Sequence, residues 1–327
     1  DPTSPLTGKT ILITGANSGL GLAAATKLAR LGPSRLILAV RNLDSGRAAQ
    51  RNIQAQLRLH LAQNNNIKPE PDMDVWVFDL ASYTTIAALA RRASAELDRL
   101  DVAVLNAGVY EVGYGVSANK WERTLQVNTL GTALLGVLLL PLLRRVRERD
   151  GYGVRVGLVA SRRAEAVRWT QEVRDGKGGV LEAANAVWEE GYEPSEQYRM
   201  SKFLLMAVVK KMAALVDESE VTVTAVCPGG VATNLSRGWT GVVAAVVKTL
   251  VNTLIMRTPE YAARSVVSGV SLGPEASGRL WYDDELHDTS RLSFLAGEDG
   301  ERLGDKIWAE VIDALQREVP EVGEVLR

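Results

Sequence analysis

The sequence predicts an α/β fold, a single doubly wound parallel sheet of about seven strands with helices on both faces. Three observations predict it. Short Val-, Ile- and Leu-rich runs alternate with longer segments of helical spacing along most of the 327 residues, and such alternation implies parallel strands joined by right-handed crossovers. The short runs lack strict apolar/polar alternation, as expected where both sheet faces are covered. The first run ends in a glycine-rich turn that leads straight into a helical segment.

In chain order, the first strand is expected at 10–14 and its helix at 20–31. A strand at 35–40 precedes a helix at 43–63. Residues 63–71, with three asparagines and two prolines, read as a surface loop. Strands at 73–78 and 102–105 flank a helix at 84–100. A helix at 119–149 contains the longest apolar run, 129–143, of about 15 residues, short of the 18 or more of a membrane span, so it reads as a helix buried on most sides. Strands at 154–159 and 221–226 flank a helix at 195–216. The apolar stretch 241–256, interrupted by Lys248, reads as a substrate-covering helix. A helix at 259–269, a strand at 279–282 and a last helix at 304–317 complete the chain. No repeat and no linker divides it, so one domain is expected over 1–327, with an insertion at 162–197 and a substrate-covering segment at 234–257.

Composition narrows the function classes. The net charge of −1 gives no strong field toward nucleic acid or anionic lipid. Hydrophobic residues at 46% and charged residues at 24% are globular values that argue against disorder. One cysteine, Cys227, forbids an internal disulfide or a thiolate cluster, and two distant histidines, His60 and His287, argue against a metal site. The start of the chain carries no basic-then-apolar signal pattern. A soluble, cytoplasmic protein with no integral membrane span is the expectation.

The first strand runs into Thr14-Gly15-Ala16-Asn17-Ser18-Gly19-Leu20-Gly21. Glycines let the backbone turn tightly and approach a pyrophosphate, and a helix N-terminus offers unpaired N–H groups and a positive dipole end. The G-x3-G-x-G spacing differs from the commoner G-x-G-x-x-G fingerprint, so the reading rests on the position after strand one; a plain tight connection is the alternative. A second signal is Tyr198-Arg199-Met200-Ser201-Lys202, whose Tyr and Lys share a helical face. Of eight tyrosines only Tyr198 has a lysine at that offset. A phenol of pKa about 10 needs a nearby cation to work as acid and base near neutrality. Lowering it by roughly three units takes about 4 kcal/mol of phenolate stabilisation, within reach of Lys202 and a charged ligand ring. The alternative is a solvated helix face.

The glycine-rich turn, Asn106-Ala107-Gly108 after strand four, Tyr198-x-x-x-Lys202 and Pro228-Gly229-Gly230-Val231-Ala232-Thr233 together resemble the short-chain dehydrogenase/reductase family, over about residues 7–285 and in the family's order. The stretches 12–21, Arg41-Asn42 and 125–128 are similar to retinol-dehydrogenase-like members, many of whose fungal relatives act in natural-product pathways. The resemblance implies a Rossmann-type fold and a nicotinamide cofactor on Gly15, Asn17, Ser18, Gly19, Leu20 and Gly21, with Asn106, Ala107 and Gly108 beside them. Asp79-Leu80 matches the adenine-contacting pair, and Pro228, Gly229, Val231 and Thr233 match the segment at the carboxamide. Tyr198 would exchange a proton with the substrate oxygen. Lys202 would depress the phenol's pKa and hold the ribose, Ser161 would hold the carbonyl oxygen, and Asn128 would anchor a water that relays protons to Lys202. For Ser161 a cap or turn role, and for Asn128 an interior polar contact, are the alternatives. The family often has a serine where Ala160 stands.

Cofactor choice is read at the end of strand two, where an acidic residue would bind a ribose diol. Val40 stands there, followed by Arg41-Asn42. A carboxylate repels a 2′-phosphate and an arginine fork attracts one, so NADP(H) is expected. The resemblance thus implies an oxidoreductase interconverting a ketone or aldehyde and an alcohol on a small molecule, with a redox-neutral enzyme or a non-catalytic NADP(H) sensor as alternatives. Valines, leucines and Trp239 in 234–257 suggest a bulky apolar substrate. The insertion, with Trp169, Trp188, Glu189-Glu190, Tyr192 and a helix-like run at 181–187, is either a pocket wall or a surface excursion. Cys227 reads as a core residue. Family dimers pair through the long helices, here 119–149 and 195–216, and a homodimer is expected.

Overall fold

The strands form where the Val/Ile/Leu runs lie: β1 (Thr10–Thr14), β2 (Arg35–Val40), β3 (Asp72–Val77), β4 (Val102–Leu105), β5 (Val154–Val159), β6 (Val221–Val226), β7 (Leu280–Tyr282) and β8 (Glu285–His287). The helices between and after them are α1 (Gly19–Arg30), α2 (Leu43–Gln63), α3 (Tyr83–Glu96), α4 (Arg123–Arg144), α5 (Val180–Ala186), α6 (Pro194–Ala214), α7 (Pro259–Gly269), α8 (Gly297–Glu318) and α9 (Glu321–Val325). The structure, a computed structural model, describes residues 6–63, 70–146, 153–168, 179–186, 192–231, 256–288, 292 and 295–327.

These strands make one sheet of order β3-β2-β1-β4-β5-β6-β7-β8. All neighbours are parallel except β7 and β8. Every residue of β1, β4, β5 and β6 is buried, as their unbroken apolar character requires of a sheet covered on both sides. Ile11, Ile13, Leu36 and Leu38 point into one layer with α1 and α7. Leu12, Ile37, Ala103 and Leu105 point into the other, with α3, α4 and α6. The strand order reverses between β1 and β4, and a crevice opens there beyond the strand ends, where α/β sheets bind ligands.

Where the elements depart from expectation, a local contact explains it. The sheet has an eighth, antiparallel strand because Asp283 and Asp284 take positive φ (51° and 60°) and turn the chain back in two residues. α3 stops at Glu96 rather than 100, since Asp101 is held at the sheet, accepting from the Thr10 N–H at 2.8 Å and pairing with Arg99. α4 starts at Arg123 rather than 119, because 115–122 folds into a turn with Lys120 at φ 64° and Glu122 caps the helix. α8 begins at Gly297, and α9 follows it.

Among the described residues α4 is the one helix long and apolar enough to cross a membrane, with 89% of its most apolar window buried inside the protein. It is therefore longer than the apolar run suggested. The helices expected to pair in a dimer are covered by the chain itself: α8 packs on α6, and α9 on α4. Of the insertion, 162–168, 179–186 and 192–197 are described. Trp169, Trp188, Glu189, Glu190, Thr233, Trp239, Lys248 and nearly all of 234–257 lie outside the described residues.

Candidate active site

A cleft of about 1100 Å³ runs along the carboxyl ends of β1, β4, β5 and β6. The glycine-rich turn forms its floor. Gly15 and Gly19 have positive φ, 67° and 51°. A Cβ on Gly21 would sit 2.2 Å from the Gly15 carbonyl oxygen, so only glycine lets α1 pack this close to β1. Ser18 precedes α1 without a side-chain cap, and Gly19, Leu20 and Gly21 line the cleft. Their end of the helix presents donors and positive dipole to whatever lies there.

The turn is braced from the end of β4 and from α2. Asn106 Nδ2 donates to the Thr14 carbonyl at 2.8 Å, and the Ala107 N–H to Thr14 Oγ1 at 2.9 Å, locking the β4 end to the β1 end. Asn17 Nδ2 donates to Ser45 Oγ at 3.0 Å. Asn42 spends its Oδ1 on the Ser45 N–H at 2.9 Å, so its oxygen caps the start of α2 rather than facing a ligand. Asp79 likewise turns an oxygen to the Ala81 N–H, beside the buried Leu80. Arg41 is exposed at this end of the cleft, next to the buried Val40.

At the other end Ser161, Tyr198 and Lys202 meet. Ser161 ends β5 and caps a 3-10 turn over Arg162–Ala166, its Oγ accepting from the Arg163 N–H at 3.2 Å. The cap reading of Ser161 is what this contact shows, and its side chain also faces the Tyr198 phenol. Burial pushes that phenol up to about 12, while Ser161 and the charge of Arg163 pull it down. Lys202 is 4% exposed, donates to the Val159 carbonyl at 2.8 Å, and has Nζ 5.8 Å from the Tyr198 ring centre. Burial lowers it to about 8. Burial outweighs the donors and charges around the phenol in this arrangement, and the Lys202 ammonium donates to the β5 carbonyl. At neutral pH the arrangement therefore presents a protonated phenol, able to donate.

Asn128 sits behind this cluster, fully buried, in a π-helical stretch, Gln126–Gly131, of α4. Its Oδ1 accepts from the Val109 N–H at 2.8 Å, and its Nδ2 donates to the Val109 carbonyl and to Ser201 Oγ. It lies close to Lys202: a Cβ on Gly108 would be 3.0 Å from Asn128 Oδ1 and 3.8 Å from Lys202 Nζ. Pro228, Gly229 (φ 79°) and Val231 close the cleft beyond β6, held by the Arg257 N–H donating to the Gly230 carbonyl. Cys227 is buried, accepts from the Arg162 N–H, and has its thiol pushed up by burial, as a core residue does.

Several residues of the site had no role assigned from the sequence. Thr14, at the head of the glycine-rich turn, and Ser45 are braces. Tyr110 packs on Tyr198 with ring centres 5.4 Å apart, and Arg162 lies over the Tyr282 ring. The one available signal was position, since Tyr110 follows Asn-Ala-Gly and Arg162-Arg163 follow Ser161.

Comparison with known proteins sets the family and agrees with the fold. A family model described as short chain dehydrogenase matches residues 9–169. The short-chain dehydrogenase/reductase ffsI of Aspergillus flavipes is 35% identical over 333 residues, covering 100% of this chain and 91% of that protein. The short-chain dehydrogenase/reductase phmF of Phaeosphaeria nodorum is 34% identical, covering 100% and 92%. Among solved structures, a short chain dehydrogenase from Burkholderia cenocepacia in complex with NADP superposes with a TM-score of 0.58 at 20% identity, over 84% of this chain and 95% of that one. Salutaridine reductase from Papaver somniferum does so at 0.60 and 20%, over 84% and 99%. These two share the fold, and the sequence relatives set the family: the chain belongs to the short-chain dehydrogenases.

Proposed function

We propose that the protein is an NADP(H)-dependent oxidoreductase that interconverts a ketone or aldehyde and an alcohol on a bulky, largely apolar small molecule, a secondary metabolite. The observation that carries it is the placement of Ser161, Tyr198 and Lys202 at one end of a cleft whose other end holds Arg41. The glycine cradle fits a dinucleotide: a side chain at Gly21 would collide with the Gly15 carbonyl, and α1 begins at the cleft floor. Gly15, Ser18, Gly19, Leu20 and Gly21 would take the pyrophosphate, Arg41 the 2′-phosphate, Asp79 and Leu80 the adenine, and Lys202 the ribose.

When bound, a reduced nicotinamide supplies the hydride that reaches the carbonyl carbon. Ser161 orients the carbonyl oxygen. Tyr198 gives that oxygen its proton as alkoxide charge develops, and Lys202, with Asn128 behind it, would return a proton to the phenol. The reverse reaction runs through the same groups. Val109, Tyr110, Ala166, Met256 and Tyr282 line the substrate end and support an apolar ring system. Retinol-dehydrogenase-like features of the sequence support a secondary metabolite.

The test is a panel of ketones, aldehydes and alcohols with NADPH, NADH and their oxidised forms, followed by nicotinamide absorbance. Turnover with NADPH in strong preference to NADH is expected. Turnover of substrate with no change in the nicotinamide would instead mean redox-neutral chemistry, and binding of both cofactors without turnover on any compound would mean a sensor.

A further inference from the structure

Glu122 is a carboxylate with no exposed surface, at the start of α4 and outside the cleft. Nothing in the chemistry above uses it, yet it gathers groups from two separate parts of the chain. One oxygen, Oε2, accepts from the Leu125 N–H at 2.8 Å and from Gln197 Nε2 at 2.7 Å. The other, Oε1, lies 3.2 Å from the Tyr192 hydroxyl, which also reaches the Glu111 carbonyl at 3.1 Å. The Glu122 N–H donates to Asn185 Oδ1 at 2.7 Å, and Asn185 Nδ2 donates to the Lys120 carbonyl. Asn185, Tyr192 and Gln197 all belong to the 162–197 insertion. Gln197 is fully buried and is the residue immediately before Tyr198; its Nε2 also touches the Ala184 carbonyl, while its Oε1 is buried without a partner. Glu122 is thus the main polar anchor of the Gln197 side chain.

We infer that Glu122 is a positioning residue for Tyr198: it clamps the insertion to the start of α4 and so fixes the first turn of α6, which carries the phenol. A buried carboxylate is costly unless its oxygens are well supplied with donors. Three donors converge here, so the cost is offset only while both halves of the clamp are in place. The inference rests on the reading of Tyr198 as the proton donor, and it assigns the described part of the insertion a fixed wall rather than a loose excursion.

Charge is not what the clamp needs. In Glu122→Gln the amide oxygen can accept from Leu125 and Gln197, and the amide nitrogen can donate to the Tyr192 hydroxyl, which keeps its own proton for Glu111. Glu122→Ala leaves the buried Leu125 N–H unmet and strips Gln197 and Tyr192 of their shared acceptor, so that each keeps only a backbone carbonyl, of Ala184 and Glu111, and the two halves of the clamp are no longer joined.

The experiment compares wild type, Glu122→Gln, Glu122→Ala, Tyr198→Phe and the Glu122→Ala/Tyr198→Phe double variant, with NADPH and a carbonyl compound from the panel above. Glu122→Ala is expected to lower kcat at least tenfold with KM for NADPH changed less than twofold, and Glu122→Gln to restore kcat to within about threefold. With the phenol gone, Glu122→Ala should lower kcat no further, whereas a merely structural role would act equally in both backgrounds. Hydrogen exchange gives a reading independent of turnover: peptides spanning 192–200 should exchange faster in Glu122→Ala, and those spanning 10–21 should not. If Glu122→Ala fails to fold, Tyr192→Phe removes one donor and should give the same pattern at smaller amplitude. Full kcat in Glu122→Ala, unchanged exchange at 192–200, or an equal loss in both backgrounds overturns the inference. Near-wild-type activity in Tyr198→Phe would overturn the reading of Tyr198 itself.

Discussion

At the outer end of the cleft Arg41 stands exposed after the buried Val40, where a carboxylate would select a ribose diol. Arg41→Asp replaces a charge-assisted phosphate contact, worth roughly 1.5–3 kcal/mol, with repulsion. NADPH affinity should fall ten- to hundredfold while NADH affinity changes little, as fluorescence titration with each cofactor would measure. At the inner end, burial holds Lys202 near 8 against its ordinary 10.5. Below pH 8 the folded protein carries a buried ammonium at a cost; between 8 and 10.5 the unfolded chain binds the extra proton, so wild-type stability from this group rises with pH; above 10.5 both states are neutral. Lys202→Met removes that cost, and at pH 7 it should be more stable by about 1–3 kcal/mol, an advantage that vanishes by about pH 10.5. Denaturant unfolding at pH 7 and 10 would check it.

Asn128 sits in the π-helical stretch of α4, which packs against the Leu80 backbone after β3. A Cβ on Gly131 would lie 2.4 Å from the Leu80 carbonyl oxygen and 3.1 Å from that of Gln126, both backbone atoms that cannot move aside cheaply. Gly131→Ala should therefore destabilise the fold by about 1–3 kcal/mol, whereas Gly113→Ala, with nothing within 4 Å of the new methyl, should stay within about 0.5 kcal/mol. Urea unfolding of the two side by side is the measurement. The strands and α1, α2, α6 and α7 were legible in the sequence because apolar runs and helical spacing dominate there. β8 was not, since a three-residue strand has no period and Asp-Asp is a weaker turn signal than Asn-Gly. The start of α4 was hidden for a similar reason: its cap is a glutamate, and that role depends on Gln197 and Tyr192, some 70 residues away. The π stretch leaves no mark in local propensity, because its apolar pattern is that of any buried helix.

At the scale of the whole molecule, the described residues expected at the site, other than Asn128, which lies behind them, line one cleft, while the direction of the phenol's pKa needed coordinates. Burial around Tyr198, supplied by residues distant in sequence, outweighs the pull of Ser161 and Arg163. The same packing bears on assembly. Leu134, Leu135, Leu139, Leu140, Leu142 and Leu143 on α4 are each at most 2% exposed, and α6 is buried along most of its length. α8 packs on α6, with an ion pair from Lys211 to Asp305, and α9 packs on α4, with a further ion pair to Arg91 of α3, so both helices expected to form a dimer carry a neighbour from the chain itself. Much of the apolar surface of those two helices is therefore already buried within the chain among the described residues, which favours a monomer. Light scattering should give a mass near 35.4 kDa, that of one chain. A mass of twice that would mean pairing through another surface or displacement of α8 and α9.

The central claim is that Tyr198 protonates the substrate oxygen in a cleft that holds the cofactor independently of it. Tyr198→Phe keeps the ring and removes only the proton. The most direct measurement sets kcat of this variant, with NADPH and a substrate carbonyl, beside its NADPH dissociation constant. A loss in kcat of about 10²–10⁴-fold with NADPH affinity changed less than twofold is the expected result. Retention of near-wild-type kcat would contradict the account.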